Sequence, residues 1–241
     1  MRNLPTGREI PTASIQPIQN TRYLDAAFVG TSTGSIAAPY SDLTPFLAEI
    51  AGSDEAWELW VAPLSGSLIA AIPAISAALV VRGINPLWTF DTTWNIDAQV
   101  DGPSFDFYDL DASFFLAGGA LEFAFTRCFI GAIVADASST GVAVFYDCVS
   151  RGCITPDFAF RVYGGSMSDS CEWSTGRFYN VSFGDNFNFT PGAGESSFVG
   201  CTFGTGGTIS NANAPTITMD SYSNARFVAS GSTFAGTIVV L

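Results

Sequence analysis

A chain of 241 residues is long enough to bury a substantial core, as one large all-β domain or two ordinary ones. It carries 22 acids against nine bases, all of them arginine, for a net charge of −13, and has neither lysine nor histidine. That excludes a histidine-based triad, a histidine metal site and a lysine Schiff base, and leaves no basic stretch for a phosphate backbone or an anionic membrane.

Residues 1–25 are polar, contain Pro5, Pro11 and Pro17 and follow no period. They read as an extended anchoring arm that becomes ordered by docking onto something else. MRNLPTGREIP has no secretory character, so synthesis in a reducing cytoplasm is expected. Residues 26–66 form a capping segment. In SDLTPFLAEIAG, Thr44 suits the N-cap and Pro45 the first helical position, Phe46, Leu47 and Ile50 give an apolar face, and Gly52 ends the helix. WELWVAP (57–63) alternates as a strand, with Trp57, Leu59 and Val61 on one side. The most apolar stretch, LIAAIPAISAALVV (68–81), is too short to span a bilayer and contains Pro73; it reads as two buried strands joined by a turn.

From about residue 67 to 241 the chain consists of short β-prone runs broken by Gly, Asn, Asp, Ser and Pro. FYDL (107–110), FYDC (145–148) and FYNV (178–181) resemble one another and supply a ruler. With the first aromatic as position i, the pattern falls on Phe107, Phe125, Phe145, Val162, Phe178, Phe198 and Phe227, in steps of 18, 20, 17, 16, 20 and 29 residues. A loose period near 20 is the signature of stacked coils rather than a sandwich. Positions i+3 (Leu110, Cys128, Cys148, Gly165, Val181, Cys201) and i+5 (Ala112, Ile130, Ser150, Met167, Phe183, Phe203) are mostly apolar. Position i+2 reads Asp109, Arg127, Asp147, Gly164, Asn180, Gly200. A straight strand keeps i and i+2 on one face, so the phase shift between i and i+3 requires a bend. Gly, Asn and Asp tolerate a left-handed bend, which leaves Arg127 as the exception. The five cysteines, 128, 148, 153, 171 and 201, form no CxxC motif and one at least must be unpaired. Stacking places Cys128 beside Cys148 and Cys153 beside Cys171, expected as free, buried thiols acting as small hydrophobes and not as a metal site.

FVGTSTGSIAAPYSDLTPFLAEIAG followed by WELWVAP resembles the start of right-handed parallel β-helix proteins, the pectin-lyase-like group, which includes many phage tailspikes and other virion surface proteins. There a short helix caps the open end and leads to a first strand ending in Val-Ala-Pro. SLIAAIPAISAALVVRGINP resembles the first coil with its closing Arg-Gly, and the F-x-[DN]-C/V-x-F repeats resemble later rungs. Leu64 departs from the glycine common after Val-Ala-Pro. The resemblance covers residues 26–241 and implies an all-β, right-handed, single-stranded parallel β-helix of roughly seven to nine rungs, with a capping helix and an N-terminal arm.

Chemistry is sparse by comparison. Asp109 and Asp147 stand two rungs apart with Arg127 between them, an arrangement that keeps both acids ionised and unsuited to general acid catalysis. Asp101, Asp106, Asp109 and Asp111 read as a solvated acidic face, and Asp185 and Glu195 as loop residues. Arg151, Arg161 and Arg177 have no paired acids at matching positions for a lyase site. Among Trp57, Trp60, Trp88, Trp94 and Trp173, only Trp94 has a polar neighbourhood that predicts exposure. No catalytic, cofactor-binding or metal-binding residue is assigned, and no cofactor is expected. Hydrophobic residues make up 48% of the chain, with mean hydropathy +0.31, more than a lone monomer needs, and the run TFAGTIVVL lacks a polar cap. These features, with the resemblance, predict a non-enzymatic virion protein: a phage capsid decoration or short spike, homotrimeric and docked by its arm on the major capsid protein or another virion protein. The alternative expectation is a tailspike-type protein that binds or depolymerises a host surface glycan.

Overall fold

The structure, a computed structural model, describes residues 20–62, 72–73, 78–84, 93–97, 104–117, 120–135, 139–155, 157–210, 213, 215–234 and 237–241. The chain winds into a right-handed parallel β-helix. Its first face is an eleven-stranded parallel sheet running from Asn20–Leu24 to Thr237–Val240. Strand register stacks Leu59, Val81, Phe107, Phe125, Phe145, Val162, Phe178, Phe198, Met219 and Val240 in one column. Leu59 to Met219 are no more than 3% exposed. Aromatic rings interleave along the axis, with centroids 5.3 Å apart for Phe107–Phe125, 5.2 Å for Phe125–Phe145 and 4.7 Å for Phe178–Phe198. Parallel rungs put like on like, so one large apolar residue per turn becomes a continuous core.

The rungs from Phe107 to Phe198 leave the first face through the bend that the i+2 column predicts. Asp109, Arg127, Asp147, Gly164, Asn180 and Gly200 all have positive φ, between 51° and 71°. Arg127, the sequence exception, takes the same left-handed conformation at φ 52°. It is held there by Asp109 on the rung before: Nε donates to Oδ1 at 2.7 Å and Nη2 to Oδ2 at 2.6 Å. The expected acid–guanidinium–acid stack is therefore only a pair, since Arg127 forms its ion pair with Asp109 and not with Asp147. Asp147 instead lays Oδ1 over Gly164, and Asn180 lays Oδ1 over Gly200, where an added Cβ would collide. From Asp147 onward, side chain and empty space thus alternate down the column.

Two seven-residue strands, Asp111–Ala117 and Phe129–Ala135, make the second face of the early rungs. Below them it splits. Phe129–Ala135 pairs with both Val149–Ser150 and Cys153–Ile154, and Arg151-Gly152 forms the new corner. Later rungs are three-sided and carry a second column of left-handed bends, at Asp169, Asn186 and Gly206. All five cysteines are free and buried. Cys128, Cys148 and Cys201 donate their thiols to the carbonyls of Phe107, Phe125 and Phe178 respectively, at 3.3–3.5 Å. Cys153 and Cys171 are in register on the third face.

The N-terminal end is closed by helix α1 (Thr44–Ile50). Phe46 and Ile50 are buried, with Phe46 edge-on to Trp57 at 6.0 Å, and Gly52 takes positive φ just past the end. The cap differs from expectation: Thr44 is already helical, and Asp42 Oδ1 accepts its N–H at 2.8 Å, because the acid two residues back has the reach to satisfy that donor. The last residues of the span read as an arm form part of the sheet. Asn20–Leu24 is a strand paired with Trp57–Val61, tied to α1 by Arg22 Nε donating to Glu49 Oε2 at 2.7 Å. Residues 1–19, Leu64, Trp88, Asp101 and, within the apolar run 68–81, residues 68–71 and 74–77 lie outside the described residues.

Phe227 is not a rung. It belongs to helix α2 (Ser221–Ala229), and Met219 and Val240 occupy the column in its place. Asp220 caps α2, its Oδ1 accepting from Ser223 N at 2.8 Å. Burial opposes ionisation of that carboxyl, but hydrogen bonds from Ser223 and Gly200 outweigh it and hold Asp220 below the usual carboxylate range. The helix lies against strand Thr202–Phe203, with Ser223 Oγ accepting from Cys201 N at 2.8 Å and Phe227 edge-on to Phe203 at 5.1 Å. It ends that column with a helix instead of another strand.

Candidate functional site

Because inward positions are filled with side chains, any site must be built from outward-facing ones. On the first face, the residue after each column position points outward: Trp60, Arg82, Tyr108, Thr126, Tyr146, Tyr163, Tyr179 and Val199 in sequence down the axis. Tyr146, Tyr163 and Tyr179 stack with centroids 5.2 Å apart and planes 10° and 5° from parallel. Higher up, the Arg82 guanidinium lies 4.1 Å from the Tyr108 ring and 5.8 Å from that of Trp60, and its Nε donates to Glu58 at 2.6 Å. The ridge is cationic-aromatic at one end and carries three consecutive tyrosines toward the other.

The outward column on the other side of the core residue runs Asp106, Ala124, Val144, Arg161, Arg177. Here the face is hollowed into a groove of about 170 Å³. Its depth comes from residue size: Ala124, Val142 and Val144 form a low floor, Asp106, Ser104 and Glu122 crowd one end, and Arg161 stands at the other. Asp106 is half-buried; burial raises its pKa, partly offset by the positive charge of Arg82. Arg82 is committed to Glu58, so Asp106 makes no hydrogen bond among the described residues. At the far end Arg161 lies close enough to Tyr146 to act against the rise in its pKa that burial and Tyr163 produce. Arg161 and Arg177 occupy adjacent rungs, and neither has an ion-pair partner among the described residues.

The predicted acidic face is thus dispersed. Asp106 enters the groove, Asp109 is spent on Arg127, and Asp111 opens the strand on the second face. Asp185 accepts from Thr205 N and Oγ1 at 2.7 and 3.1 Å, which lowers its pKa, and Glu195 accepts from Thr218 Oγ1 at 3.1 Å. Arg151 packs its guanidinium 4.9 Å from the Phe129 ring. Trp57 and Trp173 are core, and Trp60 faces outward beneath Arg82. Trp94 sits in strand Thr93–Asp97. Among the described residues, no three His, Cys, Asp or Glu side chains gather in a metal-binding group.

The groove was missed in the sequence because its two ends lie 55 positions apart and its floor is defined by smallness. The signal was available: the ruler placed one residue before each column position reads Asp, Ala, Val, Arg, Arg from 106 to 177. Chemically the arrangement offers a desolvated carboxylate, an apolar floor and an uncompensated guanidinium pair along one line. No family model, curated protein or solved structure matches the chain.

Proposed function

We propose that this protein is a non-enzymatic structural component of a bacteriophage particle, a capsid decoration or short spike protein that assembles as a homotrimer and docks on a virion protein through its N-terminal arm. The observation that carries this reading is the outer Tyr146–Tyr163–Tyr179 ridge on a shaft packed with side chains along its length. A shaft filled in this way is stiff, and a straight ridge of stacked rings is a repeated contact surface with little conformational entropy to lose on association. Light scattering on the purified protein tests it. A single species of three times the 25.4 kDa chain mass is expected, reverting to monomer when Tyr163 and Tyr179 are both replaced by serine. A stable native monomer at micromolar concentration would overturn it. Loss of particle association on deletion of residues 1–19 tests the docking role of the arm.

A second reading, a host-glycan-binding or glycan-depolymerising protein, is favoured by one observation: the ridge runs alongside a groove that carries charge at both ends. Glycan-array binding lost on Tyr163→Ala would support it, and release of reducing ends from host polysaccharide would add the enzymatic form.

A further inference from the structure

We propose that the groove between Asp106 and Arg161 binds a lysine-like zwitterion, with an ammonium at one end, an unbranched aliphatic stem and a carboxylate at the other. This inference goes beyond the assembly role and does not depend on it. Asp106, Ala124, Val144 and Arg161 are consecutive members of one outward column, fixed by strand register. Three rung steps separate the ends, about 14 Å between backbones, and the inward reach of both side chains leaves room for a stem of roughly five carbons.

Each segment of the groove lacks what such a ligand supplies. Asp106 is half-buried without a hydrogen-bond donor among the described residues, and Glu122 borders the same gap left by the small side chain of Ala124. A carboxylate withdrawn from water is strongly improved by a charged donor, and an ammonium offers three N–H groups to the two acids. Ala124, Val142 and Val144 present apolar floor that a polymethylene stem would remove from water. At the opposite end, Arg161 and Arg177 stand on adjacent rungs, about 4.8 Å apart along the axis. In a chain with 22 acids and only nine arginines, two neighbouring guanidiniums without a carboxylate partner among the described residues are an unusual arrangement. A ligand carboxylate beside them relieves the repulsion and accepts their donors. The polarity also sets orientation: a plain diamine meets Arg161 with its second charge, and a dicarboxylate meets Asp106.

Isothermal titration of the full chain with 6-aminohexanoate at neutral pH and low salt tests the site. Saturable one-to-one binding is expected, with hexylamine and hexanoate, which each lack one terminus, at least tenfold weaker. Asp106→Asn, Glu122→Gln and Arg161→Gln should each weaken 6-aminohexanoate at least tenfold, whereas Arg226→Gln on α2 should leave it unchanged. All these positions face outward, and unchanged circular dichroism verifies folding; if one variant fails to fold, the other two still decide. The proposal is overturned by absence of saturable binding, by hexylamine binding as tightly as 6-aminohexanoate, or by an unaffected Arg161→Gln.

Discussion

Replacing Gly165 by alanine adds a single methyl group where the backbones of two rungs pass close together. The new Cβ would fall within contact distance of the Cys148 carbonyl oxygen and 2.7 Å from Cys148 N, at a residue with φ +75°. Two penalties combine. An L side chain in the left-handed region costs about 1–2 kcal/mol. Steric overlap with rigid backbone adds about 1–3 kcal/mol, because relief requires moving the Cys148 carbonyl away from Ser166 N, its ladder partner at 2.8 Å. The total is about 2–5 kcal/mol, or a fall in melting temperature of roughly 4–20 °C for a chain of this size. Gly52 provides the control. Its φ is +71°, but nothing lies within 4 Å of its Cβ position, so Gly52→Ala carries the conformational penalty alone, roughly 2–8 °C. Thermal melts of both variants followed by circular dichroism separate the terms. If the two melt within about 2 °C of each other, the inter-rung contact contributes nothing and the reasoning fails.

Asp106→Asn should stabilise the fold at neutral pH. Burial raises the native pKa above the ordinary 3.8, so the native state binds the extra proton and wild-type stability falls as pH rises through that window. The advantage of the variant should therefore vanish below pH 3.8, and melting curves between pH 3 and 7 check it. Five buried thiols should resist a thiol reagent in the native protein and all react in denaturant; burial, with the negative charge of Asp220, pushes Cys201 to about 11 against the hydrogen bonds it receives, and Cys128 is raised by its thiol contact with Cys148 and by burial. Arg127→Gly removes about 1–2 kcal/mol of left-handed strain and an exposed ion pair of about 0.2–1 kcal/mol, so urea titration should find it no less stable than wild type, and more favoured as salt increases. Trp173→Phe leaves the buried Ser196 hydroxyl without its indole donor at 2.9 Å, and should cost about 1–3 kcal/mol in the same titration.

The parts of the fold legible in the sequence were those carried by residue type at a fixed interval. Aromatic column positions and the Asp, Asn and Gly bends stood out because both the stacked core and the left-handed conformation restrict composition. Arg127 did not stand out as a bend, since its conformation depends on an acid 18 residues earlier and not on its own preference. The final rungs were misplaced for a related reason: α2 is inserted between Met219 and Val240, and an isolated Phe227 imitates the ruler while packing from a helix. Strand Asn20–Leu24 was hidden by 37 residues of separation from its partner, although its composition is ordinary. The groove is a property of side-chain size across four rungs, which a one-dimensional pattern records only when columns adjoining the core are aligned too.

Stacking like on like has a mechanical side. The hydrogen bonds that join rungs all run along the axis of the shaft, whereas the strands run across it. Tension applied between the two ends of the shaft therefore loads one rung-to-rung seam after another in series, and the weakest seam sets the yield force. Force applied sideways, as on a spike struck from the flank, is spread instead over the side chains interlocked in the core and over the seams of several turns together. Such a shaft resists bending far better than stretching, and its axial strength would be tuned by strengthening one seam at a time.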